Sequence, residues 1–172
     1  MRALRYFLAL LVVAVLHFVG MQLFPWFFLA VDLFLVLLVF NAMDGNTLAG
    51  MLGGAVAGLA TDALTGGPFG LFGIADTIMG YSTAAAAQRV VIQRSTSSLL
   101  VFCLAAAAQQ ALVLGVAILI LPTPEVPDLR WVLIKVGTSG ILGLFLFQAR
   151  NRMMVRMDSW RRTRTSKVRF GR

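Results

Sequence analysis

The chain has 172 residues, of which 59% are hydrophobic and only 13% charged, with a mean hydropathy of +0.87 and a formal net charge of +8. Such values exclude a water-soluble globular domain and point to a protein embedded in a bilayer. A hydrocarbon core of roughly 30 Å takes about 20 apolar residues per helix, so six such helices consume nearly the whole chain and leave no room for a second domain.

The apolar stretches run Tyr6–Phe24, Trp26–Phe40, Thr47–Leu64, Phe69–Ala87, Leu99–Leu121 and Trp131–Ala149. Lipid offers no partner to a free backbone amide, so each must be a helix or a strand of a closed barrel. Barrel strands alternate in polarity every second residue, and these runs do not. The predicted class is therefore an all-α integral membrane protein, a compact bundle of six transmembrane helices over residues 1–150 followed by a basic tail over 151–172. Pro25, the Asn41-Ala42-Met43-Asp44-Gly45-Asn46 segment, Gly66-Gly67-Pro68 and Pro122-Thr123-Pro124 supply turn chemistry between the helices. Arg2 and Arg5 before the first run resemble the start of a secretory signal, but the run is long and lacks a small-x-small cleavage site, so it is read as retained. Cys103 lies within the fifth run and has no second cysteine to pair with.

Charge predicts the orientation. Nine of the fifteen basic residues lie at or beyond Arg150, two are Arg2 and Arg5, and two are Arg89 and Arg94. Six helices put all of these on one side, the cytoplasmic one by the positive-inside rule. The opposite side has short turns, and its longest loop holds Glu125 and Asp128; Arg130 and Lys135 are the basic exceptions. The basic tail (Arg161-Arg162-Thr163-Arg164-Thr165-Ser166-Lys167) is read as a topology determinant facing anionic lipid rather than a nucleic-acid site. With little to bury, it is expected to be flexible or to lie along the interface, with Trp160 and Phe170 as anchors.

In the third helix Gly50, Gly54 and Gly58 recur every fourth position, continued by Asp62, Gly66 and Gly70. Four residues advance about 400° around a helix, so the three glycines share one narrow face suited to small-xxx-small packing. The first expectation for that face is a neighbouring helix of the same chain; the second is another protein. Ala84 to Ala87 and Ala105 to Ala108 offer further small faces.

Five ionisable residues, His17, Asp32, Asp62, Asp76 and Lys135, fall by this topology in the outer half of the bilayer, where each requires a reason. Lys135 is expected to lie near at least one of the acids. Asp62 and Lys135 taken singly can snorkel; Asp32 and Asp76, deeper, call for a partner or water. A lone His17 is read as a hydrogen-bonded packing residue. Asp62 and Asp76 are the acids read as serving function rather than fold. No nucleophile turn, phosphate-cradling loop or metal-spaced Cys/His set accompanies them, so the sequence supplies no catalytic residue, no metal site, no cofactor and no positive sign of an enzyme.

The run Gly50-Met51-Leu52-Gly53-Gly54-Ala55-Val56-Ala57-Gly58-Leu59-Ala60-Thr61-Asp62, then Gly66-Gly67-Pro68-Phe69-Gly70 and Gly80-Tyr81, resembles the central signature of the rod shape-determining MreD family of bacteria. Asp32, followed by Leu33 and an aliphatic run, is similar to that family's polar position in the second helix; Val31 departs from the proline often found there, and the basic tail is longer. The resemblance, over about residues 1–150, implies a non-enzymatic scaffold subunit of the cell-elongation machinery. Its implied partners are MreC, the actin-like MreB and the RodA–penicillin-binding-protein peptidoglycan synthase, in the inner membrane with both termini cytoplasmic. It also implies a fold similar to the substrate-binding subunits of energy-coupling-factor transporters. That likeness supplies a rival expectation: a small-solute-binding or transport subunit with an outward-facing pocket lined by Asp32, Asp76 and Lys135.

Overall fold

A computed structural model describes the backbone of residues 2–24, 26–89, 95–122 and 127–169, and the side chains within 4–24, 26–89, 98–122 and 127–153. Pro25, Arg94, Thr123, Pro124, Glu125, Phe170 and the Trp160 side chain, named above, lie outside the described residues. Those that are described form helices and turns with no strand among them. The helices are α1 (Arg2–Leu23), α2 (Phe27–Ala30), α3 (Leu33–Ala42), α4 (Thr47–Thr65), α5 (Leu71–Arg89), α6 (Ser95–Ile120) and α7 (Leu129–Arg169).

Among the described residues four segments are long and apolar enough to cross a membrane: Leu4–Leu23, Thr47–Thr65, Ser98–Ile120 and Leu129–Met153. The second apolar stretch is not the single helix expected. It breaks at Val31, whose φ of −136° and ψ of 130° are extended, and Asp32 restarts it by accepting the Leu35 amide at 2.9 Å. An aspartate at a helix start satisfies an amide that has no partner within the helix, so Asp32 makes the break tolerable inside an apolar layer. Helix α5 is as long as α4 but less apolar, because it carries Asp76, Thr77, Ser82, Thr83 and Gln88.

The α4–α5 hairpin is the most intimate contact. A side-chain carbon on Gly50 would sit 2.5 Å from the Gly80 carbonyl oxygen; one on Gly54 would strike the backbone of Asp76, and one on Gly58 that of Phe72. Hence the glycine face packs on the next helix of the same chain, backbone to backbone. Gly80, grouped by sequence with the motif, is the other half of this contact, while Tyr81 beside it is exposed. The true turn residues are Gly66 (φ 68°) and Gly70 (φ 100°), in the left-handed region where a side chain strains the backbone. Gly66 closes α4, its amide donating to the Asp62 carbonyl at 3.2 Å.

Two apolar clusters fill the interior. Leu35, Val36, Leu38, Val39 and Met79 meet Phe102, Ala105 and Ala106. On the other side of α3, Phe34 meets Leu10 and Ala57. Helix α3, with six of its ten residues buried, is thus the central post, whereas α1 leaves Phe7, Leu11, Val15 and Phe18 exposed. Helix α7 runs parallel to α2–α3 and is tied to it at three levels. Trp131 stacks on Trp26 with centroids 5.5 Å apart; Thr138 donates to the Ala30 carbonyl and Lys135 pairs with Asp32; Arg150 pairs with Asp44 at 3.2 Å and lies over Phe40. Beyond Arg150, where a flexible or interface-bound tail was expected, the backbone is helical, α7 continuing unbroken to Arg169. Arg, Met and Lys are good helix formers, and no Gly or Pro interrupts the run before Gly171.

Candidate polar site

The polar residues divide into two connected pairs and one closed cap. Lys135 reaches Asp32 at 3.3 Å, with side-chain exposures of 7% and 3%. At such burial the ammonium is desolvated, and beyond the carboxylate its surroundings are the faces of Phe28 and Phe72, 4.9 and 5.5 Å from the ring centroids. Asp76, fully buried in α5, accepts from the Gln109 side-chain amide of α6 at 2.7 Å. The charges close enough to act on Asp76 are Asp32, Lys135 and Asp62, so the two pairs share one electrostatic neighbourhood.

Asp62 sits apart in kind. One of its oxygens accepts the amides of Gly70 and Gly73, at 2.9 and 3.0 Å, and the other accepts that of Phe72 at 3.0 Å. A carboxylate at the end of α4 thereby caps the start of α5, where amides lack partners and the helix dipole favours negative charge. Asp62, read from sequence as functional, holds the turn together. Its spacing to Gly66 and Gly70 follows: α4 must end at a left-handed residue, and the chain must return at another so that three amides converge on one carboxylate.

His17 is buried among Phe27, Phe28 and Phe34, with ring centroids 5.3 to 6.2 Å away. It packs as expected but is not hydrogen-bonded, since neither ring nitrogen has a partner among the described residues. The Asp32 and Lys135 charges act on it, which places it at the margin of the same neighbourhood. Further buried atoms without a hydrogen-bond partner among the described residues are Asp76 Oδ2, Gln109 Oε1 and Ser139 Oγ.

Sequence reasoning missed Gln109, Thr138, Tyr6 and the Asp44–Arg150 pair. The signal for Gln109 was present: Gln109-Gln110 is the one amide pair in the middle of an apolar run. Tyr6 donates to the Gly53 carbonyl at 2.8 Å and rests on that glycine, fastening α1 to α4. No sequence signal marks it.

A cavity of about 480 Å³ lies between α2, the start of α5, α6 and α7. Lys135 and Gln110 are its polar lining, and Phe28, Phe72, Val113 and Trp131 form much of the rest. Asp32 and Asp76, expected in the wall of an outward pocket, do not line it; they turn to Lys135 and Gln109. No group of three or more metal-ligating side chains occurs among the described residues. In comparisons with known proteins no family model, no curated protein and no solved structure matched the chain.

Proposed function

We propose that this chain is a six-span scaffold subunit of the bacterial cell-elongation machinery, of the MreD type, residing in the inner membrane with both termini cytoplasmic. In this reading α2–α3 together and α5 are the two further spans, held in the bilayer by their neighbours rather than by their own apolarity. The observation that carries it is the Asp62 cap: Gly50, Gly54 and Gly58 of the Gly-rich helix, Asp62, and Gly66 and Gly70 of the turn, on which the resemblance rests, form one physical unit. The basic residues flanking the ends support the orientation. The scaffold binds MreC, and through it or directly the actin-like MreB and the RodA–penicillin-binding-protein synthase. It performs no chemistry of its own; its buried charges and amides serve internal contacts. The broad apolar face of α1, fastened to the bundle by few contacts, is suited to a partner's membrane helix.

The cavity beside Lys135 favours a second reading, a small-solute-binding or transport subunit. Purification of the tagged protein from its host in mild detergent, with the retained proteins identified, separates the two. Retention of MreC is the expected result. Retention of an ATPase module without MreC would establish the second reading instead.

A further inference from the structure

The cavity is 480 Å³, inside the roughly 300–1,000 Å³ span of ligand pockets. Its walls are aromatic and aliphatic, and its two polar side chains, Gln110 and Lys135, each bring donors to it. Gln110 Nε2 is buried with no hydrogen-bond partner among the described residues. Lys135 presents an ammonium, which carries three donors, to a single carboxylate and two aromatic faces. An occupant that satisfies the unpartnered donors brings acceptor oxygens to one side and hydrocarbon to the other. It need not bring a net charge, since Asp32 already balances Lys135. The helices framing the cavity carry Leu119, Ile120 and Leu133 on their exposed faces, so the medium beside it is lipid hydrocarbon. Trp26 and Trp131, stacked at that end of the bundle, are of the type that settles at the headgroup level.

We propose that this cavity is a binding site for one glycerophospholipid of the surrounding bilayer. Its ester or phosphate oxygens accept from Gln110 and Lys135, and an acyl chain lies along Val113, Phe28 and Phe72. The site rests on the membrane placement but not on the scaffold role: lipid can be retained or lost whatever protein the chain binds.

The test is native mass spectrometry of the full chain, purified in mild detergent and washed exhaustively. The wild type is expected to retain one phospholipid per chain. Val113→Trp and Val132→Trp fill the cavity from α6 and α7 respectively, and Gln110→Leu removes the free donor at nearly constant volume. Each should reduce retention, the last by about tenfold if one hydrogen bond is lost. Leu119→Trp, on the exposed face of α6, should retain lipid as the wild type does. Elution profile and melting temperature identify which variants are folded, and any one folded cavity variant suffices. A wild type without lipid, or folded cavity variants that keep it, would overturn the site. So would competition by soluble glycerol phosphate as effective as that by phospholipid, since the occupant would then be a solute.

Discussion

Lys135 and Arg130 stand five residues apart on α7, yet their surroundings differ completely: Lys135 is buried against Asp32, and Arg130 is exposed. Removing one member of a buried pair leaves the other charge uncompensated, at a cost of about 3–5 kcal/mol, whereas an exposed substitution stays within about 0.5 kcal/mol. Lys135→Leu should therefore lower the melting temperature sharply in detergent, and Arg130→Leu should leave it nearly unchanged. The double variant Asp32→Asn with Lys135→Met should recover part of the loss; a double variant as unstable as Lys135→Leu alone would show that the pair is not the cause. Asp62→Ala leaves three amides at the α5 start without their acceptor, and each unsatisfied buried group costs about 1–3 kcal/mol. Asp62→Asn, which keeps one acceptor oxygen, should fall between Ala and wild type. Equal melting temperatures for Asp62→Ala and wild type would refute the cap.

At the scale of elements, glycine means different things in different helices. On α4 a methyl at Gly54 or Gly58 meets the backbone of α5, while at Gly115 and Gly137 it meets nothing within 4 Å. Overpacking of that kind costs about 1–3 kcal/mol, so Gly54→Ala and Gly58→Ala should destabilise, and Leu at either position should prevent folding. Gly115→Ala and Gly137→Ala should instead be neutral or stabilising by up to about 1 kcal/mol, the helix propensity difference. Stability ranked across these four variants checks the packing with a single assay.

The four long apolar helices and the turn at Gly66 and Gly70 were legible because bilayer thickness and turn chemistry are local matters. The close α4–α5 contact was legible as a face, since the spacing of Gly50, Gly54 and Gly58 is itself geometric. The break at Val31 was not. It depends on α7, a hundred residues later, whose Thr138 satisfies the Ala30 carbonyl and whose Lys135 meets Asp32. The role of Asp62 was hidden for a related reason: a carboxylate near a helix end can pair with a cation or cap an amide, and its distance from Lys135 in space decides which. Shared depth was a sound guide to Asp32 and Lys135 but said nothing of Gln109, because an uncharged amide leaves no mark on a charge map.

At the level of the whole molecule, one helix is longer than a bilayer is thick. Helix α7 has 41 residues, about 60 Å at 1.5 Å per residue, roughly twice a hydrocarbon core. Only its first part, Leu129–Met153, is apolar enough to cross, and among the described side chains the last tie to α2–α3 is Arg150 with Asp44. Truncation after Met153 should thus leave a monodisperse protein that melts close to the full-length chain. Loss of the folded bundle on truncation would mean that the distal helix supports it.

The Asp62 cap and the α4–α5 contact have a consequence for descent. They make substitution costly at Gly50, Gly54, Gly58, Asp62, Gly66, Gly70 and Gly80, while the exposed apolar sides of α1, α6 and α7 place little demand on the residue that fills them. Kin of this chain are free to drift nearly everywhere outside one hairpin, so ancestry should be sought in the spacing of a few glycines around a single aspartate, not in overall identity.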